Sequence, residues 1–135
     1  MAIITKETPV GYSLPEIARQ FSTDMFHAGG VKTLHNDQAA AEIEGLSGPI
    51  AVGPQVAALI FRMMRLCFEG GWFTGGRSDL IFRRQMGSNE FAVAKGVVKS
   101  IEPEDNKLRI ICDVWVESKS GEKPIVGTCS GLVPC

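Results

Sequence analysis

A helix that is apolar almost all the way round has to be enclosed by the rest of its chain, and the stretch from Gly53 to Glu69 has that character. Val56, Leu59, Ile60, Met63, Met64, Leu66, Cys67 and Phe68 spread over most of its circumference. Gln55, Arg62, Arg65 and Glu69 form only a thin polar stripe. The turn-forming run Gly45-Leu46-Ser47-Gly48-Pro49 precedes this helix, and Gly70-Gly71 is expected to end it.

After the helix the hydrophobic period changes from 3.6 to two. Lys107 to Ser118 sets Leu108, Ile110, Cys112, Val114 and Val116 against Arg109, Asp113 and Glu117, the alternation of a half-buried strand. Arg77 to Met86, Glu90 to Ile101 and Lys123 to Val133 read similarly. The connections Gly87-Ser88-Asn89, Pro103-Glu104-Asp105-Asn106 and Lys119-Ser120-Gly121-Glu122 are rich in turn formers, so a four-stranded antiparallel meander of hairpins is expected. Before the helix, a short strand is expected near Glu16 to Phe21 and a short helix from Ser22 or Thr23. A second short helix is expected over Gln38 to Ile43, opened by Asn36 or Asp37. The economical burial is an α+β domain in which the sheet curls about the long helix. With 135 residues the chain suits one domain, 1–135, and the free sheet edge that results favours pairing with a second copy as a homodimer.

Fourteen basic and fifteen acidic residues nearly cancel, which removes the overall charge signature of a general nucleic-acid binder. The first residues, MAIITKETPV, lack the layout of a secretory signal, and no run is apolar over a bilayer's thickness. A cytoplasmic location and no membrane partner are therefore expected. Cys67, Cys112, Cys129 and Cys135 lack the paired spacing of a zinc site or redox dithiol. The first three read as small buried hydrophobes, and no metal is expected.

Two segments carry a resemblance. Leu34 to Gly53, LHNDQAAAEIEGLSGPIAVG, resembles the MaoC-like pattern of His-x-Asp, an alanine-rich short helix and a Gly-Pro-Ile-Ala-x-Gly turn into a long helix. Ser120-Gly121-Glu122-Lys123-Pro124-Ile125-Val126-Gly127 looks like the last hairpin of that family, and the likeness runs from about Leu14 to Pro134. It implies the hotdog fold and an enzyme that hydrates or dehydrates an acyl thioester carried by coenzyme A or an acyl carrier protein. No cofactor is implied, and the assembly would be a homodimer or a heteromer with another hotdog subunit.

The same resemblance points to His35 as the acid/base and to Ile50, Ala51, Val52 and Gly53 as the substrate-binding turn, with a backbone N–H at the helix start on the thioester oxygen. Independently, adding water to an enoyl thioester needs a group that takes and gives a proton near neutral pH, which suits histidine. Donors aimed at the oxygen where charge builds lower the barrier, and a helix N-terminus offers them. The family motif Asp-x-Asn-Pro-x-His is not kept, because Gly30-Val31-Lys32-Thr33-Leu34-His35 stands there. Another carboxylate, Asp24 or Asp37, would substitute, or His35 would work alone, or the chain would be a non-catalytic subunit. Asp37 also reads as a helix cap. A hotdog thioesterase is a further alternative, which would need a carboxylate near the helix where only Glu69, at its far end, is offered.

Several residues read as structural. His27 has no motif around it, and Gly29-Gly30 is too short a glycine signal for phosphate binding. Trp72, Phe73 and the Met63-Met64 pair read as core or interface, with an acyl-tunnel wall as the functional alternative. Trp115 marks a covered surface. Arg83 and Arg84, adjacent on an expected strand, should point to opposite faces as solvated arginines, with a carrier phosphate as the functional alternative for one of them.

Overall fold

The structure is a computed structural model that describes residues 2–26 and 31–135. His27, Gly29 and Gly30, considered above, lie outside the described residues. The elements run β1 (Ile17–Gln20), a 3₁₀ turn (Thr23–Phe26), α1 (Gln38–Ile43), α2 (Gly53–Phe68), α3 (Gly70–Gly75), β2 (Arg77–Phe82), β3 (Phe91–Glu104), β4 (Lys107–Ser118) and β5 (Ile125–Pro134). All strand pairs are antiparallel, in the order β1-β3-β4-β5-β2.

α2 lies against β1, β3, β4 and β5, so one sheet wraps it. Val56, Ala57, Leu59, Ile60, Met63, Met64, Cys67 and Phe68 are buried, while Gln55, Arg62 and Arg65 are exposed. β4 keeps the expected alternation, with Ile110, Cys112, Val114 and Val116 in the core. A register shift between Val98 and Ser100 interrupts the β3–β4 ladder, a break of the kind that lets a sheet bend. Gly131 faces the ring of Phe68 so closely that a Cβ there would collide with it.

Two expectations are corrected. The meander is three-stranded, β3-β4-β5, because β2 pairs with β5 at the far edge, Leu80 opposite Gly127. Gly87-Ser88-Asn89 does not close a hairpin because its backbone bonds elsewhere: Ser88 N–H donates to the Pro49 carbonyl (3.1 Å) and Ala51 N–H to the Met86 carbonyl (2.7 Å). The turn formers there serve a crossover that runs past the start of α2. The long helix ends where expected, at Phe68 just before Gly70-Gly71, with Glu69 at a left-handed φ of 48°, and Gly70-Gly71 then opens the short α3. Arg109, expected among the polar residues of β4, is buried. Its guanidinium meets both Glu104 carboxylate oxygens at 2.8 Å and donates to the Gly75 carbonyl and Ser130 Oγ, which satisfies the charge and ties α3 to the sheet. That donated pair also holds the Glu104 carboxyl below its ordinary range.

Cys67, Cys112 and Cys129 are free and buried, as expected from composition, and Cys135 is exposed. Burial pushes the three inner thiols up to about 12, so they stay protonated and unreactive at neutral pH. Met63 and Met64 are fully buried core residues. Trp72 stacks on Phe61 at 6.1 Å, whereas Phe73 is exposed. Trp115 is half-buried, donating to Glu117 (2.8 Å) with Lys123 Nζ 4.8 Å above its ring. Among the described residues no helix is long and apolar enough to cross a membrane.

Candidate active site

The loop that carries His35 is folded by its own polar side chains. Asn36 Oδ1 accepts from Thr33 N–H (2.8 Å) and its Nδ2 donates to the Phe26 and Val31 carbonyls, while Thr33 Oγ1 accepts from His35 N–H (3.2 Å). Two bonds then fasten this loop to the segment before α2. Ile50 N–H donates to the Leu34 carbonyl (3.0 Å), and His35 Nδ1 lies 2.9 Å from the Ile50 carbonyl.

That second contact fixes the histidine's chemistry. A carbonyl only accepts, so in the neutral ring Nδ1 carries the hydrogen and Nε2 holds the lone pair. His35 lines a cleft of about 320 Å³ together with Ile50, Ala51, Gly53 and Val56 from the helix start. Exposed Phe82, Arg83, Arg84 and Gln85 form its other wall.

The start of α2 is bare. Val52 is the N-cap, extended at φ −72°, and makes no side-chain cap bond. Pro54 brings no N–H, and Gln55 and Val56 N–H both turn back to the Val52 carbonyl. Gly53 N–H is therefore the donor of the first turn left for a ligand. A Cβ on Gly53 would meet no atom within 4 Å, so the backbone at this lining residue borders open space. An imidazole lone pair and a helix-terminal N–H thus share one cleft, a pairing suited to proton transfer beside a developing oxyanion.

The other residues singled out from sequence are placed differently. Asp37 caps α1, its carboxylate accepting from Ala40 N–H at 2.9 Å. Asp24 lies in the 3₁₀ turn, and neither carboxylate lines the cleft. Ile50, Ala51 and Gly53 line it, whereas Val52 caps the helix behind it. Among the described residues no carboxylate lines the cleft, and no cluster of three His, Cys, Asp or Glu side chains is placed to hold a metal.

Solved structures share this architecture over nearly the whole chain. The R-hydratase PhaJ1 from Pseudomonas aeruginosa in its unliganded form superposes with a TM-score of 0.77 at 20% identity, covering 98% of this chain and 86% of that one. The MaoC-like dehydratase from Rhodospirillum rubrum gives 0.76 at 15% identity, over 96% and 94% of the two chains. The chain has the MaoC-like hotdog fold. A further hotdog neighbour is the ChsH1–ChsH2 complex from Mycobacterium tuberculosis, with a TM-score of 0.70 at 15% identity over 95% and 99% of the chains. No family model matches the sequence, and no curated protein matches it.

Sequence reasoning missed two parts of this hotdog site. The first residues of the crossover, 83–86, line the cleft, and the Pro124 carbonyl anchors them through Arg83 and Arg84 N–H at 2.8 and 3.3 Å. Strand β2 stops at Phe82 and not at Met86, so Arg83 and Arg84 lie beyond the regular strand, and both residues line the cleft. The signal available in sequence was Pro124 itself, which donates no N–H and so ends the regular ladder.

Proposed function

We propose that the chain hydrates or dehydrates a small or medium acyl thioester in the cleft between His35 and the start of α2. The observation that carries the reading is the Nδ1 contact to the Ile50 carbonyl, which leaves the Nε2 lone pair for chemistry beside the unused Gly53 N–H. In the hydration direction, Nε2 takes a proton from water as the water oxygen bonds to Cβ of the enoyl group. The π electrons move onto the thioester oxygen, which the Gly53 N–H stabilises. The imidazolium then returns its proton to Cα, so that one water has been added and the histidine is neutral again. With no carboxylate on the cleft wall among the described residues, His35 carries both proton transfers in this scheme.

The same missing carboxylate favours a second reading, a non-catalytic subunit that completes a heteromeric hydratase. The solved neighbours that are complexes of hotdog chains are consistent with such an assembly. The outer edge of β2, where Ile81 and Phe82 are 59% and 56% exposed, supports pairing with another hotdog chain, whether a second copy or a different subunit. A thioesterase has less support, since Glu69 stands at the opposite end of α2 from the cleft.

Loss of the conjugated enoyl-thioester absorbance on adding purified protein separates these readings. The catalytic proposal expects turnover of crotonyl or longer enoyl thioesters by this chain alone. No turnover across a panel of chain lengths contradicts it, and release of free thiol would indicate hydrolysis instead.

A further inference from the structure

The arginines on the cleft wall are held there by an irregularity of the backbone. Arg83 and Arg84 both direct their N–H groups to the single carbonyl of Pro124, just beyond the Phe82–Ile125 pair that ends the β2–β5 ladder. Two successive donors on one acceptor are the bond pattern of a β-bulge, which breaks side-chain alternation and is favoured beside functional sites because it re-aims a side chain. Here two adjacent arginines, Arg83 and Arg84, both line one cleft.

Their charges are balanced unequally. Arg84 reaches Glu122 at 3.5 Å, an ion pair whose side chains are both more than half exposed and so only weakly held. Arg83 has no ion pair among the described residues. The cleft wall thus carries two arginines and the start of α2, with no carboxylate among the described residues, in a chain whose formal net charge is −1. This local excess of positive charge is suited to a ligand's negative charge.

We infer that Arg83, re-aimed by the bulge opposite Pro124, binds an anionic oxygen group of the ligand and makes the cleft selective for charged thioesters over neutral ones. The inference rests on the thioester reading above. Two sources supply the same chemistry, a phosphate on the carrier arm or a carboxylate on the acyl group, and guanidinium suits both.

Calorimetric titration of the full chain with saturated thioesters, which have no double bond to hydrate, reads this without turnover. The probes are butyryl-pantetheine, neutral throughout, butyryl-CoA, with phosphates on the carrier, and succinyl-pantetheine, with a carboxylate on the acyl group. Arg83→Gln should weaken at least one charged probe about tenfold or more and leave butyryl-pantetheine within about twofold, as expected for loss of one charge-assisted hydrogen bond. Arg83→Lys should recover part of the loss, and the probe affected identifies the source of the anion. Equal weakening of all three probes, no weakening of any, or failure of the unaltered chain to bind a charged probe more tightly than the neutral one overturns the inference. Absence of enoyl turnover alongside Arg83-dependent binding would defeat the reaction and leave this subsite standing. Turnover that ignores Arg83 would do the reverse.

Discussion

Replacing His35 by alanine is expected to lower the rate of enoyl-thioester hydration by about 10²- to 10⁴-fold, the range for loss of a positioned acid/base. The alanine variant also gives up the contact to the Ile50 carbonyl, which tethers the His35 loop to the start of α2. His35→Asn separates the two effects, because its side-chain amide retains an N–H near the Nδ1 position and offers no base. Both variants should lose the rate, while the asparagine variant keeps its thermal midpoint closer to that of the parent chain. Full activity in either would remove His35 from the reaction. A loss restricted to the alanine variant would assign it a structural task alone.

The second large effect concerns the enclosed helix. Ile60 is fully buried within the core that joins α2 to the sheet. Its truncation to alanine should cost about 2–5 kcal/mol in urea unfolding, because the wrapped strands cannot collapse freely into the space left behind. Arg62→Ala, on the exposed stripe of the same helix, should change stability by about 0.5 kcal/mol or less. Similar small losses at both positions would mean that the helix is not enclosed as described.

The contrast between these two positions was visible in the sequence, since the spacing of Gln55, Arg62 and Arg65 left only a narrow side of the helix for water. The strand over Lys107 to Ser118 was equally visible, because alternation is a local property that burial on one face imposes on neighbouring residues. Strand order was not. Gly87, Ser88 and Asn89 favour a turn, but whether a turn closes a hairpin depends on which distant backbone groups need partners, and here Pro49 and Ala51 supply them. The burial of Arg109 was hidden for the same reason, as its partners Glu104, Gly75 and Ser130 converge only in three dimensions. At the site, His35 and the turn ending in Gly53 were singled out through the resemblance, and Asp24 or Asp37 was offered as a substitute for the Asp of the family motif that this chain does not keep. The distance from Asp37 to Ala40 N–H shows that capping occupies that carboxylate, a use that an Asp preceding an alanine-rich helix allows equally well. The arginine pair was assigned to a regular strand because periodicity contains no information about a bulge.

The most direct measurement is a crystal structure of the His35→Asn variant soaked with crotonyl-CoA. The account predicts the thioester oxygen within hydrogen-bond reach of Gly53 N–H and the Cα–Cβ bond beside residue 35, with the acyl chain in the cleft below Val56. An acyl group seated elsewhere, or a thioester carbonyl turned away from the start of α2, would contradict it.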